Sequence, residues 1–383
     1  MTDPIIDHFV DEPQSPGTVS IVLTGDLVLD VDDADYWLSG IAPALAAADV
    51  AIGHVEVPHT LQGTEMAGDV PAPGAPPENL DALGRAGFSI VTLAGNHIAD
   101  RGAVGIADTI ARLEQLGIAH TGAGSDLAQA RAPAVVDVRG RRIAVLSYNC
   151  VGPETAWATP QRAGCNYLRI RTKDGSAVAP NAPLEQVDPE ALEVLRTDIA
   201  AVRRSAQLVI VAFHKGIVHT PARLAPYERP LAEAAIDAGA DVVVGHHAHI
   251  LRGIELYRGK PVFHGLGNGC VVTHALSPDQ DHPKRAEWAR RRRELFGFEP
   301  DPRYTLAPFH PEAVNAVLGC LRWRADGSLE TSVRPVFVEP PGRPVCVEDE
   351  RADAVIGYLD HIGDTAGLPA RHWTRNGAQW VCT

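Results

Sequence analysis

Short runs of apolar, mostly β-branched residues recur along the chain, and each run ends in glycine or polar residues. Continuous apolar runs of this length are typical of strands that are covered on both faces. They predict strands at 19–26, 50–57, 89–97, 142–149, 207–214, 241–247 and 261–268. Helix-like stretches separate the runs at 33–48, 78–87, 103–116, 188–205 and 227–238. The alternation predicts an α/β (α+β) fold built from layered sheets.

Beyond this alternating part, the pattern predicts strands at 315–323 and 332–338 and a helix at 350–362. The sequence contains no internal repeat and no low-complexity tract. We therefore expect residues 1–383 to form a single domain. Its core is predicted at about 19–270, and its C-terminal strands and helix at 313–383.

Two segments have the character of insertions into the core. Residues 150–187 are rich in glycine, proline and polar groups, and residues 271–312 contain the basic stretch PKRAEWARRRRELFGFEP. In an acidic protein such a stretch is typical of a solvated surface helix. The alternative is a lid or a substrate-docking element, because long loops beside an active site often carry recognition.

The charge balance excludes one class of partner. Lys and Arg number 34 against 48 Asp and Glu, which gives a net charge of −14. A chain this acidic is not expected to bind nucleic acid. An acidic substrate is not excluded, since a metal ion or a local basic cluster overrides net charge.

Three further observations concern the compartment. The N-terminus has no basic region followed by an apolar core, so a secretory signal is not expected. No run of about 18 apolar residues predicts a membrane anchor. The six cysteines are scattered without a C-x-x-C pair, which is typical of a reduced protein. The sequence therefore predicts a cytoplasmic protein.

Candidate chemistry gathers at the ends of five predicted strands. In α/β sheets the carboxyl ends of strands converge on one crevice, and sites are built there. The polar residues at these five ends are Asp26; His54 and Glu56; Asn96, His97 and Asp100; His214, Lys215 and His219; and His246, His247 and His249. Five such strand ends are hard to explain by structural needs alone.

Carboxylate, amide oxygen and imidazole groups together suit a divalent metal ion such as Mn, Zn, Fe or Ca. His247 and His249 are two residues apart, so on an extended strand both would face one side. His246 would then point away, or would replace His247 if the backbone turns. The spacing leaves both arrangements open.

The ordered set GD, E, GNHxxD, HxG, GHHxH and LGN resembles the CapA proteins of poly-γ-glutamate synthesis, which belong to the calcineurin-like metallophosphoesterase superfamily. The resemblance covers about residues 19–270. It implies a metallophosphatase-like four-layer αββα sandwich of two mixed sheets. It also implies a role for each matching residue: metal ligation by Asp26, Glu56 as a bridge between two metals, Asn96, His214, His247 and His249, and proton donation by His97 oriented by Asp100.

Several positions depart from the family pattern. Val28 replaces the histidine that usually follows the first aspartate by two residues, and His54 begins a motif that is usually N-x-E. The usual H-W-G-x-E-Y motif has become HKGIVH at 214–219, and Y-S-L-G-N-F has become HGLGNG at 264–269. One metal site is therefore short of a ligand, so a single-metal or a metal-free pocket is the alternative. Nothing indicates an organic cofactor.

The departures add nitrogen bases, and this suggests a reaction. A desolvated Lys215 has a lowered pKa and can act as a base, so Lys215 and a histidine on opposite faces of a carbon acid form a two-base pair. The catalytic candidates are His97, Asp100, Lys215, His54 and His214. The favoured hypothesis is epimerisation of a peptide Cα, as CapA-like proteins of lasso-peptide clusters are thought to perform, with the peptide docked along 284–293.

Two alternatives remain beside this hypothesis. One is a divalent-metal-dependent hydrolase of a phosphoester or an amide, and the other is a poly-γ-glutamate or capsule biosynthesis protein. The expected substrate is a peptide or a γ-glutamyl-type compound.

Overall fold

The computed structural model describes residues 17–66 and 74–383. The N-terminal residues used to argue against a secretory signal lie almost entirely outside the described residues. The strands are β1 Val19–Asp30, β2 Val50–Val55, β3 Phe88–Thr92, β4 Ala119–Thr121, β5 Ala123–Gly124, β6 Ala134–Val138, β7 Arg141–Asn149, β8 Gly164–Cys165, β9 Ile170–Thr172, β10 Leu184–Val187, β11 Leu208–His214, β12 Val242–His246, β13 Ile254–Tyr257, β14 Lys260–Phe263, β15 Asn268–Thr273, β16 Asn315–Trp323, β17 Leu329–Glu339, β18 Arg343–Cys346, β19 Trp373–Asn376 and β20 Gln379–Cys382. The helices are α1 Ala34–Leu38, α2 Ala42–Ala46, α3 Asp81–Ala86, α4 Gly102–Gln115, α5 Leu127–Arg131, α6 Pro189–Arg203, α7 Glu228–Asp237, α8 Pro283–Arg290, α9 Arg292–Phe296 and α10 Glu350–Thr365, with 3₁₀ turns at Pro77–Leu80, Glu154–Ala156, His274–Leu276 and Pro311–Val314.

Two large mixed sheets form the centre of the protein. The first has the strand order β19-β20-β17-β16-β1-β2-β3-β4, with β15 also paired to β1 and β18 to β17. The second has the order β13-β14-β12-β11-β7-β6. Within each sheet the strands that end at the candidate site run parallel: β1, β2 and β3 in the first, and β11 and β12 in the second. Their carboxyl ends therefore meet along one edge of the molecule.

The two sheets pack face to face, and helices cover their outer faces. Side chains of alternate residues, such as Ile21 and Ile52 on the first sheet and Ile210 on the second, form one buried cluster between the sheets. The intervening residues point outward and pack under α1–α4 on one side and under α6 and α7 on the other. The predicted four-layer αββα sandwich of two mixed sheets is confirmed.

Local sequence explains where the long helices begin and what they bury. In α6, Asp188 caps the first turn by accepting a hydrogen bond from the backbone N–H of Glu190, and Pro189 fills the first position, where no N–H is needed. In α4, the buried residues Ile106, Ile110 and Leu113 follow the three- and four-residue spacing of one helical face.

Two predicted elements are divided in the structure. The helix predicted at 33–48 is broken into α1 and α2, because the chain turns at 39–41 and a second helix begins at Ala42, with Pro43 in its first turn. The strand predicted at 261–268 was wrong as a single strand. Its first part is β14 in the second sheet, and the chain then turns through Gly267, at φ +80°, and enters the first sheet as β15.

Among the described residues, no helix is long and apolar enough to cross a membrane. All six cysteines lie in this part of the chain, and each is a free thiol.

Candidate metal centre

The carboxyl ends of five strands converge from both sheets, as the sequence predicts. Asp26 lies at a bulge in β1, where the strand register shifts against both of its parallel neighbours. The backbone N–H of His247, which follows β12 of the other sheet, donates to the two carboxylate oxygens of Asp26 at 3.3 and 3.2 Å. Asp26 therefore links the two sheets at the point where the site is built.

A close approach of two backbones makes this junction. A Cβ atom on Gly25 would lie 1.8 Å from the carbonyl oxygen of Gly267, so only glycine fits at position 25. The approach places Asn268, the first residue of β15, opposite Asp26. The LGN motif is thus the crossing between the sheets, and Asn268 enters the site. Sequence reasoning noted this motif but gave Asn268 no role.

Among the residues that the structure describes, two groups of side chains could each hold a metal ion, and they share His214. The ligand atoms of Asp26, His54 and His214 lie within 4.8 Å of one another, and so do those of Glu56, His214 and His247. Every member is buried. We refer to these groups as the Asp26 triad and the Glu56 triad.

His214 is the centre of this arrangement. Its Nε2 lies 2.6 Å from Asn96 Oδ1 and 3.1 Å from His247 Nδ1. The same atom is 3.8 Å from a carboxylate oxygen of Glu56. Asn96, His214, His247 and Glu56 are thus brought together as predicted.

His249 completes the cluster from its outer side. Its Nε2 lies 3.3 Å from a Glu56 oxygen, and its Nδ1 lies 3.0 Å from Asn268 Oδ1 and 3.9 Å from Asp26. His247 and His249 both face the cluster, as predicted. They do so from a turn and not, as predicted, from an extended strand. β12 ends at His246, and both histidines adopt positive φ, 88° and 51°, in the turn that follows.

His246 is not part of either triad. Its Nε2 lies 3.2 Å from the backbone oxygen of Thr24, and its ring stacks on His54 with a centroid distance of 4.7 Å. Burial lowers the pKa of His246 to about 4, so the ring is neutral. Of the two histidines left open by the spacing, His247 is the one that belongs to a group able to hold a metal ion.

His97 and Asp100 form the predicted pair beside the cluster. His97 Nδ1 lies 2.7 Å from a carboxylate oxygen of Asp100, and the hydrogen bond orients the ring. The His97 side chain is 12% exposed, whereas the members of the two triads are buried. His97 lines the cavity described below, so its ring can reach a bound molecule.

Lys215 requires a correction, because it does not line that cavity. Its ammonium group is fully buried on the opposite side of β11 from His214, where it donates to Glu228 at 2.9 Å and lies 3.3 Å from His264 Nδ1. Arg252 also donates to Glu228, at 3.2 Å, and His264 lies 3.0 Å from Glu255. Burial lowers the pKa of Lys215, and the Glu228 carboxylate opposes that effect. Adjacent residues of an extended strand point to opposite faces, which separates Lys215 from the cluster.

The charges of the cluster are unevenly distributed. Burial, reinforced by the Glu56 carboxylate, raises the pKa of Asp26 to about 7. Burial alone would raise the pKa of Glu56, but the adjacent His249 lowers it to about 2. Burial opposes protonation of His249, yet Glu56 and Asp26 raise its pKa to about 9. His249 thus supplies positive charge between two buried carboxyl groups.

The other imidazoles are neutral and able to ligate. Burial lowers the pKa of His54 and of His214 well below the ordinary value, and burial together with His249 lowers that of His247 to about 3. His54 Nε2, His214 Nδ1 and His247 Nε2 are buried and have no hydrogen-bond partner among the described residues. Buried ring nitrogens without partners, next to carboxylates, fit a divalent metal ion. The residues present therefore suit the group that the resemblance implies.

An apolar cavity of about 90 Å³ lies over the cluster. Its floor includes Glu56, Asn96, His97, His247 and His249. Its walls are mostly apolar and come largely from β15 and the segment that follows it: Val271, Ala275, Leu276, Trp288, Phe296 and Phe309. None of the described residues that line it is Lys or Arg.

The basic stretch PKRAEWARRRRELFGFEP therefore lies against the cavity and turns aromatic side chains toward it. Trp288 on α8 and Phe296 on α9 face the cavity, while Arg291 pairs with Glu294 and Arg293 with Glu299 at the surface. Of the two interpretations in the sequence analysis, a solvated surface helix or a lid beside the active site, this position beside the cavity favours the second. The sequence signal that could have identified the inner side was the aromatic spacing within the stretch, which its charge obscured.

The fold and the site together define an α/β protein of two face-to-face mixed sheets, with a cluster of carboxylate, amide and imidazole groups at the carboxyl ends of their strands. The family model described as bacterial capsule synthesis protein PGA_cap matches residues 7–271. The chain belongs to this family.

Individual relatives agree with that assignment. Capsule biosynthesis protein CapA of Bacillus anthracis is 28% identical over 273 residues, a match that covers 69% of this chain and 61% of the relative. A probable polyglutamine synthesis accessory protein of Mycobacterium tuberculosis is 34% identical over 252 residues, covering 64% and 62%. The matches thus span about three fifths of the length of these relatives. A calcineurin-like phosphoesterase of Bacillus subtilis, YfkN, aligns over 93% of this chain and 99% of its own with 12% identity and a TM-score of 0.38.

Proposed function

We propose that the protein is a divalent-metal-dependent hydrolase that cleaves an amide bond in a γ-glutamyl or peptide substrate. The observation that carries this proposal is the pair of buried triads sharing His214, with His97, oriented by Asp100, on the floor of the cavity above them. The relatives named for capsule biosynthesis and polyglutamine synthesis support a substrate of this type.

The residues of the chain have separate parts in this reaction. Asp26, Glu56, His214 and His247 would hold the metal, which when bound supplies a Lewis acid and lowers the pKa of a water molecule. Asn96 Oδ1, 2.6 Å from His214 Nε2, holds the ring of His214. His97, oriented by Asp100, stands where it can protonate the leaving amine. The aromatic walls exclude water around the scissile bond.

The cavity also restricts the substrate. Its described lining carries no Lys or Arg, so besides the metal only His249 offers a long polyanion a counter-charge there. The apolar wall formed by Trp288, Phe296 and Phe309 favours an apolar group on one side of the bond. We therefore propose that a single γ-glutamyl or peptide unit enters, with an apolar neighbour.

Two-base epimerisation is less well supported than hydrolysis. It needs a base on each face of the carbon acid, and Lys215, the second base of the sequence hypothesis, is ion-paired with Glu228 away from the cavity. The two reactions are separated by assay in D₂O. Epimerisation incorporates a solvent deuteron at Cα with the chain intact, whereas hydrolysis breaks the bond.

The direct test uses the protein reconstituted with Mn²⁺, Zn²⁺ or Fe²⁺ and assayed with γ-glutamyl-p-nitroanilide and p-nitrophenyl phosphate. We expect metal-dependent release of p-nitroaniline that a chelator abolishes. Faster cleavage of the phosphoester than of the amide would contradict the choice of bond. Activity that is unchanged after complete chelation would overturn the hydrolase proposal.

Replacing His97 should separate catalysis from metal binding. We expect His97→Asn to lower kcat by about 10²–10⁴-fold, the usual contribution of a positioned general acid. Metal content should stay at the level of the unaltered protein. His120→Asn is the matched control. His120 is a half-buried histidine of β4 whose ring pairs with Glu114 of α4. It lies outside both triads and outside the cavity lining. Equal losses in both variants would argue against the assignment.

A further inference from the structure

We propose that His54 is a direct protein ligand of the metal held by Asp26 and His214, so that β2 supplies an imidazole as well as the Glu56 carboxylate. This inference rests on the proposed function, because it assigns a residue to the metal of that same site. It changes the role of His54 from the catalytic base of the sequence analysis to a ligand.

The backbone directs His54 toward the cluster. Val50 and Ile52 of β2 point into the core between the two sheets. Because side chains two residues apart share a face, His54 and Glu56 are expected to point the same way. The ring of His54 lies between two histidines of the opposite sheet, His214 and His246, each with a centroid distance of 4.7 Å. It is therefore at the junction of the sheets, with little freedom to move.

The two ring nitrogens of His54 have different surroundings. Nδ1 lies 2.9 Å from the hydroxyl of Thr92, and that hydroxyl donates in turn to the backbone oxygen of Gly53 at 3.3 Å. Nε2 is buried and has no hydrogen-bond partner among the described residues. Metal-bound histidines typically use one nitrogen for the metal and the other for a fixing hydrogen bond. His54 has this arrangement.

The space beside Nε2 is kept open by a glycine. A Cβ atom on Gly95 would lie 3.0 Å from Nε2 of His54 and 3.6 Å from a ring carbon of His214. Any side chain at position 95 would therefore crowd the imidazoles of His54 and His214. The absence of a side chain at Gly95 therefore leaves Nε2 of His54 accessible, as a metal ligand requires.

His59 shows that an unsatisfied nitrogen alone would not be enough. It is also buried, its Nδ1 lies 3.2 Å from the backbone oxygen of Val57, and its Nε2 has no hydrogen-bond partner among the described residues. Yet His59 belongs to neither triad. His54 differs because its ligand nitrogen lies within 4.8 Å of a carboxylate oxygen and of a second imidazole nitrogen.

The ligand set narrows the choice of metal. Two imidazoles and one carboxylate suit Zn²⁺, Fe²⁺ or Co²⁺, whereas Ca²⁺ prefers oxygen ligands throughout. Val28, two residues after Asp26, lines the cavity but offers no ligand atom. With His54 the Asp26 triad has three protein ligands, which leaves a position for substrate or water.

The test measures binding of Co²⁺ to the metal-free protein by titration calorimetry and visible absorption. Loss of an outer-shell partner of a ligand typically costs 10–100-fold in metal affinity. We expect His54→Asn to weaken Co²⁺ binding by more than about 100-fold at one site and to change the absorption bands. Thr92→Val should weaken the same site by about 10–100-fold. His59→Asn is the matched control and should bind as the unaltered protein does.

If His54→Asn fails to fold, the inference can still be tested with a double variant and with a measurement on the unaltered protein. The double variant Val28→His/His54→Asn places an imidazole on β1 in exchange for the one on β2, and it should recover Co²⁺ affinity. In the unaltered protein labelled with ¹⁵N-histidine, Zn²⁺ should shift the His54 Nε2 resonance as it shifts that of a ligand.

Each outcome separates the inference from the proposed function. Undiminished Co²⁺ affinity and unchanged absorption in His54→Asn, or an unmoved Nε2 resonance, would overturn the role of His54 and leave the hydrolase proposal standing. An unaltered protein that binds no divalent metal would overturn both. Metal binding with His54 engaged, but without cleavage of either chromogenic substrate, would leave the ligand assignment intact.

Discussion

At the scale of single residues, the last side chain of β11 and the one that follows it enter two different environments. His214 joins the ligand triads, and Lys215 joins a buried charge network with Glu228 and Arg252. A buried carboxylate shared by two cations is hydrogen-bonded and well compensated, whereas a buried cation left without it is not. This network therefore has a structural role beneath the site.

Removing the shared carboxylate should destabilise the fold strongly. We expect Glu228→Gln to lower the free energy of unfolding by about 3–5 kcal/mol at neutral pH, because Lys215 and Arg252 lose their counter-charge. Urea unfolding measures this difference. Glu193→Gln, on the exposed face of α6, is the control and should stay within about 0.5 kcal/mol.

The difference in unfolding free energy between the unaltered protein and Glu228→Gln should depend on pH. Burial opposes ionisation of Glu228, but Arg252 and Lys215 lower its pKa from 4.5 to about 2. A carboxyl group with a lowered pKa stabilises the fold fully above its unfolded pKa, and the effect is lost as the pH falls toward the folded value. The difference between the unaltered protein and Glu228→Gln should therefore shrink between pH 4.5 and 2. A constant difference over that range would contradict the assignment.

At the scale of elements, the site depends on how closely β1 approaches the turn before β15. That approach sets Asp26 opposite Asn268 and joins strands that are more than 200 residues apart in sequence. It also explains why the HGLGNG motif is a crossing and not one strand. Backbone contact of this kind leaves no room for a side chain.

Adding one methyl group at this crossing should disturb both stability and the site. We expect Gly25→Ala to destabilise the protein by at least about 1–3 kcal/mol, since its Cβ would overlap the backbone of Gly267. Metal binding should weaken with it. Gly357→Ala in α10 meets no atom within 4 Å and should instead stabilise the protein by about 0.5–1 kcal/mol. Thermal unfolding distinguishes them, and equal effects would refute the explanation.

At the scale of the whole molecule, the ligands come from both sheets, so metal binding and sheet packing are coupled. Asp26, His54 and Glu56 belong to the first sheet or follow its strands, and His214 and His247 belong to the second or follow it. A ligand that binds only the folded state stabilises it by mass action. The metal should therefore hold the two sheets together.

This coupling is measurable as a shift in melting temperature. At a free metal concentration of 100 times Kd, binding contributes about 2.7 kcal/mol. With an unfolding entropy of about 2.1 cal/mol/K per residue, a chain of 383 residues gains about 3 °C in Tm. We expect the shift to disappear in His214→Ala, because His214 belongs to both triads. A shift that persists in this variant would place the metal elsewhere.

The sequence by itself determined the layered α/β architecture and which strand ends bring polar residues together. The apolar runs indicate both where the strands lie and where the site is. A strand buried on both faces must be apolar until it reaches the edge of the sheet, where polar side chains are tolerated. The runs end in this way at Asp26, Glu56, Asn96, His214 and His247. His97 and Asp100 are three residues apart, so their pairing is local and was predictable.

Tertiary structure decided which of the nitrogen bases share a site. Lys215 and His54 both follow apolar runs, yet one lies in a buried ion pair and the other in a group that could hold a metal ion. Lys215 meets Glu228 of helix α7, whereas His54 meets histidines of the other sheet. The turn after β12, the crossing at Gly267 and the inward aromatic face of the basic stretch arise from contacts between distant segments. Strand periodicity specifies the face on which a side chain lies, but only packing against the other sheet specifies what it meets there.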